Sequence, residues 1–371
     1  MKVPANRPFF FNKDQNFILN KFKKILDGKS FLSMGKYSRE FEKKFSKFIG
    51  TKYAVACNSG TSALELICRS LEISSKEIIV PSNTFIASVN AILNAGCKPI
   101  FADCGDDMCI DLKSIKKKIT KKTAAVMVVH IGGIITKDIY KIKKLCNKKK
   151  IFLIEDSAQA HGSSLYGKKA GSFGVAGGFS FFSTKVMTTG EGGMVTTNNL
   201  KIVKKMRSMR EFGKVKKGIY INHHTSIGYN WKLAEVNSLM GLVQLKSIKT
   251  FILGRKKIAE VYDSELGNVN NIEIIKPVNK KEHNYFKYII LLKDKKRERL
   301  HKSLIKNFIY PSGYVYEIPL HKQPVFKRNN KLTLLNTEKY CSNHICLPIF
   351  YGMKISQAKY VTSTLKKFLI T

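Results

Sequence analysis

Residues 151–193 read IFLIEDSAQAHGSSLYGKKAGSFGVAGGFSFFSTKVMTTGEGG. An apolar run from Ile151 to Ile154 ends in two carboxylates, Glu155 and Asp156. A glycine-rich passage follows, then a second apolar run from Gly178 to Phe182, and shortly after it Lys185. Short apolar runs bounded by glycine and polar residues suit buried strands of an α/β sheet. Ligands of such sheets gather at the carboxyl ends of the strands, so Asp156 and Lys185 are both expected on the ligand-binding edge.

A strand-end acid and a strand-end lysine are the two protein groups that pyridoxal phosphate chemistry uses. The lysine binds the cofactor covalently, and the acid keeps a proton on the pyridine nitrogen so that the ring can take up electrons. Taken singly, each residue has a plainer reading: Asp156 as a helix cap, Lys185 as one more solvated lysine. The wording around them favours the pair. E-D-S-A-Q-A-H-G, A-G-S-F-G, F-S-F-F-S-T-K and T-G-E-G-G-M, in that order, resemble the DegT/StrS group of sugar aminotransferases, and the likeness extends over almost the whole chain. The resemblance implies that Lys185 carries pyridoxal 5'-phosphate, Asp156 faces its ring nitrogen, Gln159 its ring hydroxyl, and Ser180 its phosphate. Some dehydratases of the group have His in place of the lysine; its retention here favours transamination.

The 371 residues carry a net charge of +40, yet only nine of the 66 basic residues are Arg and the lysines are scattered throughout. Nucleic-acid binders concentrate charge on one face and use Arg for base contacts, so the charge reads as compositional drift and nucleic acid is not an expected partner. A scattered positive field would still steer anionic substrates. No apolar run approaches a membrane span, and residues 1–17 lack the apolar core of a signal peptide. The eight cysteines contain no CxxC pair and read as free thiols, not zinc ligands. A cytoplasmic enzyme without metal is expected.

Outward from the central stretch, residues 12–48 show helical periodicity, with Phe17, Ile18, Phe22 and Ile25 on one face and Phe41, Phe45 and Phe48 on another. A loop over residues 27–35 separates them. The resemblance places it near substrate, which makes Lys29 a candidate. Residues 53–57 form a predicted strand followed by N-S-G-T-S-A-L-E-L. A helix opening on Gly60, Thr61 and Ser62 would present unpaired N–H groups and its positive end to an anion, or would merely be capped by a hydroxyl. The resemblance makes it the phosphate grip. It also puts Phe85, after the strand at residues 77–80, over the cofactor ring, where composition alone would read core packing.

Strands at residues 98–102 and 124–129 alternate with helices at 112–119 and 137–146, which implies a mostly parallel sheet covered on both faces. His130 reads as structural. A basic helix is expected over 198–210. The segment G-Y-N-W-K, with Glu235, Gly241 and Gln244 beyond it, is another family feature; there Asn230 reaches the phosphate of the partner subunit's cofactor, so the active sites of a homodimer would be shared. Lys232 stands where Arg is usual and lacks Arg's forked geometry. After helical character ends near Leu266, short strands (272–275, 285–292) and terminal helices mark a smaller α+β part. P-S-G-Y-V-Y-E-I-P-L-H resembles a substrate-facing segment, with Tyr316 and His321 as candidates.

The expected fold is α/β, aspartate-aminotransferase-like (fold type I of the pyridoxal phosphate enzymes), with a large domain over residues 1–250 and a small one over 251–371. The resemblance implies amination of a nucleotide-linked keto-sugar with glutamate as donor. Two other readings stay open at this level: the same scaffold acting as a dehydratase or on a non-sugar ketone, and a non-catalytic basic protein that binds nucleic acid.

Overall fold

The computed structural model describes residues 1–215, 217–220, 222–294 and 296–370. Thr371, the last residue of the expected small domain, lies outside the described residues. The chain begins with α1 (Asn12–Lys24), a π-turn over Ile25–Lys29, and α2 (Lys36–Ile49). β1 (Tyr53–Cys57), α3 (Gly60–Ser70), β2 (Glu77–Pro81), α4 (Ile86–Asn94), β3 (Lys98–Ala102), α5 (Leu112–Lys118), β4 (Thr123–Val129), α6 (Ile139–Lys149) and β5 (Phe152–Asp156) then alternate. A two-residue hairpin, β6 (Ser164–Leu165) with β7 (Lys168–Lys169), precedes β8 (Ala176–Ser180) and β9 (Gly193–Thr197).

The seven long strands form one sheet in the order β1-β9-β8-β5-β4-β2-β3. β3, β2, β4, β5 and β8 pair in parallel, while β9 runs antiparallel to both β8 and β1. The near-continuous apolar character of these strands follows from burial on both faces. β5 starts one residue later than the apolar run suggests and continues through Asp156, which pairs with Gly178; β8 starts two residues earlier than expected, at Ala176. The register with both neighbours sets these limits, and hydropathy alone does not encode it.

α7 (Leu200–Arg210) returns along the sheet, and α8 (Glu235–Leu266) is a 32-residue helix. Its first half packs with Phe41, Phe45 and Phe181, and its second half with the core around β10 (Ile272–Ile274), β11 (Tyr288–Leu292) and β12 (His344–Leu347). These three strands form an antiparallel sheet, flanked by α9 (Arg297–Lys306), α10 (Leu335–Asn343) and α11 (Ile355–Ile370). The division expected at residue 250 falls inside α8. Val3 is fully buried in the second core and forms a bridge to Ile309, so the first residues of the chain lie on the later part.

Two buried carboxylates tie the helices down. Glu235, at the first turn of α8, accepts the N–H groups of Gly35 (3.0 Å), Tyr37 (2.8 Å) and Ser38 (2.9 Å), and so caps the positive end of α2. Glu42 accepts Ala56 N–H and pairs with buried Arg210 at 2.6 Å, locking α2 and α7 to β1. α1 departs from its expected packing. Only Asp14 is buried in it, and Phe17, expected on a packed face, is exposed. No described helix is long and apolar enough to cross a membrane.

Candidate active site

The carboxyl ends of β1, β2, β5 and β8 open on one side of the sheet, and a cavity of about 380 Å³ lies there. Its lining includes Gly60 and Thr61 from the start of α3, Phe85 after β2, Asp156 at the end of β5, Gln159, and Ser180 and Lys185 after β8. Phe286, Lys287 and the segment Tyr314, Val315, Tyr316 close it from the side of the smaller sheet.

Asp156 is buried. Its Oδ2 accepts the Ser88 hydroxyl at 2.7 Å and its Oδ1 the Ala158 N–H at 3.1 Å. Burial pushes the carboxyl pKa up, while Ser88, Ala158 and then the charge of Lys185 restrain it. Lys185 lies in the turn after β8, with its N–H on Phe182 O and its Nζ 5.1 Å from the centre of the Phe286 ring. Burial lowers its pKa from the ordinary lysine value to about 8. Asp156 opposes that shift and Lys287 adds to it. At pH 7 roughly a tenth of such amines are neutral, against fewer than about one in a thousand for an unperturbed lysine.

Also at the cavity, Ser59 caps α3 by accepting the Ser62 N–H at 3.0 Å, and the first turn of the helix abuts Ser180. A Cβ on Gly60 would stand 2.6 Å from Ser180 Cβ, so only glycine lets this helix end approach the strand end so closely. Gln159 spans the middle: its Oε1 accepts Gly132 N–H at 2.7 Å and its Nε2 donates to the Tyr316 hydroxyl at 2.8 Å. The rings of Tyr316 and Phe85 stack with centroids 6.2 Å apart and planes at 28°.

Four expected residues lie elsewhere. Ser62 is turned into the helix, its hydroxyl donating to Asn58 Oδ1 at 2.7 Å, because the cap of α3 claims it. His321 is fully buried between Ser82, 2.7 Å from its Nδ1, and Glu338, 3.0 Å from its Nε2. It pins the segment after Tyr316 to the end of β2 and does not line the cavity. Lys29 is exposed in the turn after α1, and Asn230 is exposed beside Lys232 Nζ at 2.5 Å; neither lines the cavity of its own chain.

Residues 12–366 match the DegT/DnrJ/EryC1/StrS aminotransferase family. The chain belongs to that family. The GDP-perosamine synthase of Vibrio cholerae is 32% identical over 372 residues, 99% of each chain. The solved structure of Helicobacter pylori PseC, an aminotransferase involved in the biosynthesis of pseudoaminic acid, superposes with a TM-score of 0.93 at 29% identity, covering 100% of this chain and 99% of that one. NtdA of Bacillus subtilis, solved with bound PMP cofactor, gives a TM-score of 0.89 at 26% identity over 99% and 86%.

The fold of this DegT-family chain is thus the expected fold type I, and its cofactor is pyridoxal phosphate. The cavity has a matching set of groups: a carboxylate, a lysine of lowered pKa, and a helix terminus whose closeness to Ser180 leaves no room for a Cβ on Gly60. Pyridoxal phosphate needs a counter-charge for its ring nitrogen, an amine, and an anion seat.

Several site residues escaped the sequence reading. Ser88, one turn into α4, is a serine among several and carries no signal of its own. Glu155 sits beside Asp156 in sequence, but its carboxylate points the other way and accepts the N–H groups of Gly171, Phe173 and Gly174 at 2.6–2.7 Å, with His130 Nε2 at 3.0 Å. It holds the glycine-rich passage against β5. Lys287 did have a signal, a lone charge inside the apolar run YFKYIILL.

Proposed function

We propose that the chain is a pyridoxal-phosphate-dependent sugar aminotransferase that moves the amino group of glutamate to the keto carbon of a nucleotide-linked sugar. The observation that carries this reading is the meeting of Asp156, Lys185 and the amino end of α3 in one cavity. Relatives over the full length, such as the GDP-perosamine synthase of Vibrio cholerae, support the substrate class.

When bound, the cofactor supplies a carbonyl that accepts an amino group and a ring that stores the electron pair a departing proton leaves behind. Lys185 holds it covalently through Nζ. The same Nζ, neutral in a useful fraction near pH 7, would serve as the general base for the proton on the donor's α-carbon. Asp156, whose upward shift from burial is opposed by Ser88, Ala158 N–H and the Lys185 charge, would hold the proton on the ring nitrogen. Gly60, Thr61 and Ser180 take the phosphate, Gln159 the ring hydroxyl, and Phe85 with Tyr316 covers the ring and excludes water.

A homodimer with shared sites belongs to the same proposal. Asn230 and Lys29 do not line the cavity of their own chain, and Ile219, Tyr220 and Ile227 of the Asn230 arm are exposed, as are Phe31 and Leu32 beside Lys29. Apolar exposure of this kind suits burial against a second copy. We assign the large cofactor-binding domain to residues 1–250, apart from the first residues that pack on the second core, and the small domain to 251–371, with α8 running through the boundary. We place the protein in the cytoplasm, where eight unpaired cysteines stay reduced.

The test is a screen of the purified protein with glutamate against nucleotide-linked 4-keto and 3-keto hexoses, read by mass spectrometry. An amino-sugar product that appears with 2-oxoglutarate is expected. Product formed without glutamate, or from an inosose alone, would replace this reading with the dehydratase or the non-sugar one.

A further inference from the structure

Lys287 and Glu191 are the charged cavity residues that the chemistry above leaves without a task, and Lys287 is the cation of the two. It lies directly before β11, its N–H bonded to Gly132 O at 3.2 Å, and its side chain enters the same cavity as Lys185. Both ammonium groups stand over one ring, Lys185 at 5.1 Å and Lys287 at 5.3 Å from the centre of Phe286. Nζ of Lys287 donates to the carbonyl of Ser312. An ammonium has three N–H donors, so two remain, and no carboxylate lies within ion-pair distance of it among the described residues.

A second cation beside Lys185 is costly. It is desolvated, it repels its neighbour, and it lowers the pKa of that neighbour. Such a group is stabilised once an anion sits on it. Both substrates of the proposed reaction are anionic, and distance separates them. In an amino acid the carboxylate is bonded to the carbon that reacts. In a nucleotide-linked sugar the diphosphate hangs from the anomeric carbon, further from the ketone. An anion seat that shares one cavity and one ring with the reacting lysine therefore fits the amino acid.

We propose that Lys287 is the substrate-binding residue that takes the carboxylate of the amino donor, and so sets the preference of the first half-reaction for an amino acid. This rests on the function proposed above. The test uses the holoenzyme, with glutarate as an unreactive dicarboxylate probe measured by calorimetry, and separate Michaelis constants for glutamate and the nucleotide sugar. In Lys287→Met, glutarate affinity should fall about 10- to 100-fold, the loss expected for a charge-assisted contact, and KM for glutamate should rise alike while that for the nucleotide sugar stays put. Lys287→Arg, which restores a cation, should recover most of the loss.

Unchanged glutarate binding in the Met variant would overturn the assignment, as would a loss confined to the nucleotide sugar. Loss of the yellow chromophore from the Met variant alone would also overturn it, by making Lys287 part of the cofactor seat. Absence of a chromophore on Lys185 in the unaltered holoenzyme would instead overturn the function on which the inference stands.

Discussion

The floor and the far wall of the cavity are built in opposite ways. Asp156, Ser180, Gly60 and Phe85 stand at or just past strand ends of the seven-stranded sheet, within the first half of the chain. Phe286, Lys287 and Tyr314 to Tyr316 arrive from the later part, on irregular segments beside β11 and ahead of α10. The floor is fixed by sheet register. The wall is held by individual side-chain bonds: Asn284 Nδ2 to Gln159 O at 2.9 Å, and Gln159 to Tyr316. A change in the floor should therefore damage the chemistry common to both half-reactions, whereas a change in the wall should act on one substrate or on the docking of the wall.

Lys185→Ala should give the largest effect, a loss of at least about a thousandfold in turnover, since it removes both the covalent anchor and the general acid–base group. Wild-type turnover by that variant would break the floor's claim to the chemistry. Gly60→Ala should come next. The added Cβ must push α3 from Ser180, and cofactor affinity, measured by titration of the apoprotein, should weaken about tenfold or more while the fold persists. If affinity were unchanged, the helix end would not be the anion seat.

The wall should respond more mildly. His321→Ala removes the imidazole that joins Ser82 to Glu338, though Ser82 keeps the backbone N–H of residue 321 and Glu338 keeps Leu334 N–H and Lys322. It should lower stability by about 1–3 kcal/mol in urea unfolding, with substrate KM values little changed. A change in KM for the nucleotide sugar without loss of stability would return His321 to the substrate role that its sequence context suggested.

A pH experiment sharpens the same contrast at the level of one atom. The amine of Lys185 reacts in its neutral form, and burial lowers its pKa to about 8. Attachment of pyridoxal phosphate to the apoprotein should accelerate as pH rises toward 8 and level off above it. An unburied lysine would go on gaining reactivity toward pH 10.

The contrast also explains what could be read without coordinates. Alternating apolar runs gave the parallel sheet and put Asp156 and Lys185 on one edge, because strand ends are where a periodic pattern stops. The antiparallel strand β9 carries no such signal: Gly193 to Thr197 pairs with both β1 and β8, and direction within a sheet leaves no mark on local hydropathy. β11 begins at Tyr288, three residues later than its apolar run, because His283 to Lys287 is drawn against Gly132 and Gln159. His321 and Tyr316 share one motif, yet the four residues between them separate a buried pin from a cavity wall. Asn230 and Lys29 stand off the cavity of their own chain, and no local pattern of residues marks which side chains reach it.

The central claim is that one lysine of the sixty-six basic residues holds the cofactor opposite Asp156. Borohydride reduction of the yellow protein, followed by peptide mapping, tests it directly. The account predicts bleaching and a stable adduct on the peptide that contains Lys185, and on that peptide alone. An adduct on Lys287, or a colourless protein that takes up no pyridoxal phosphate, would contradict it.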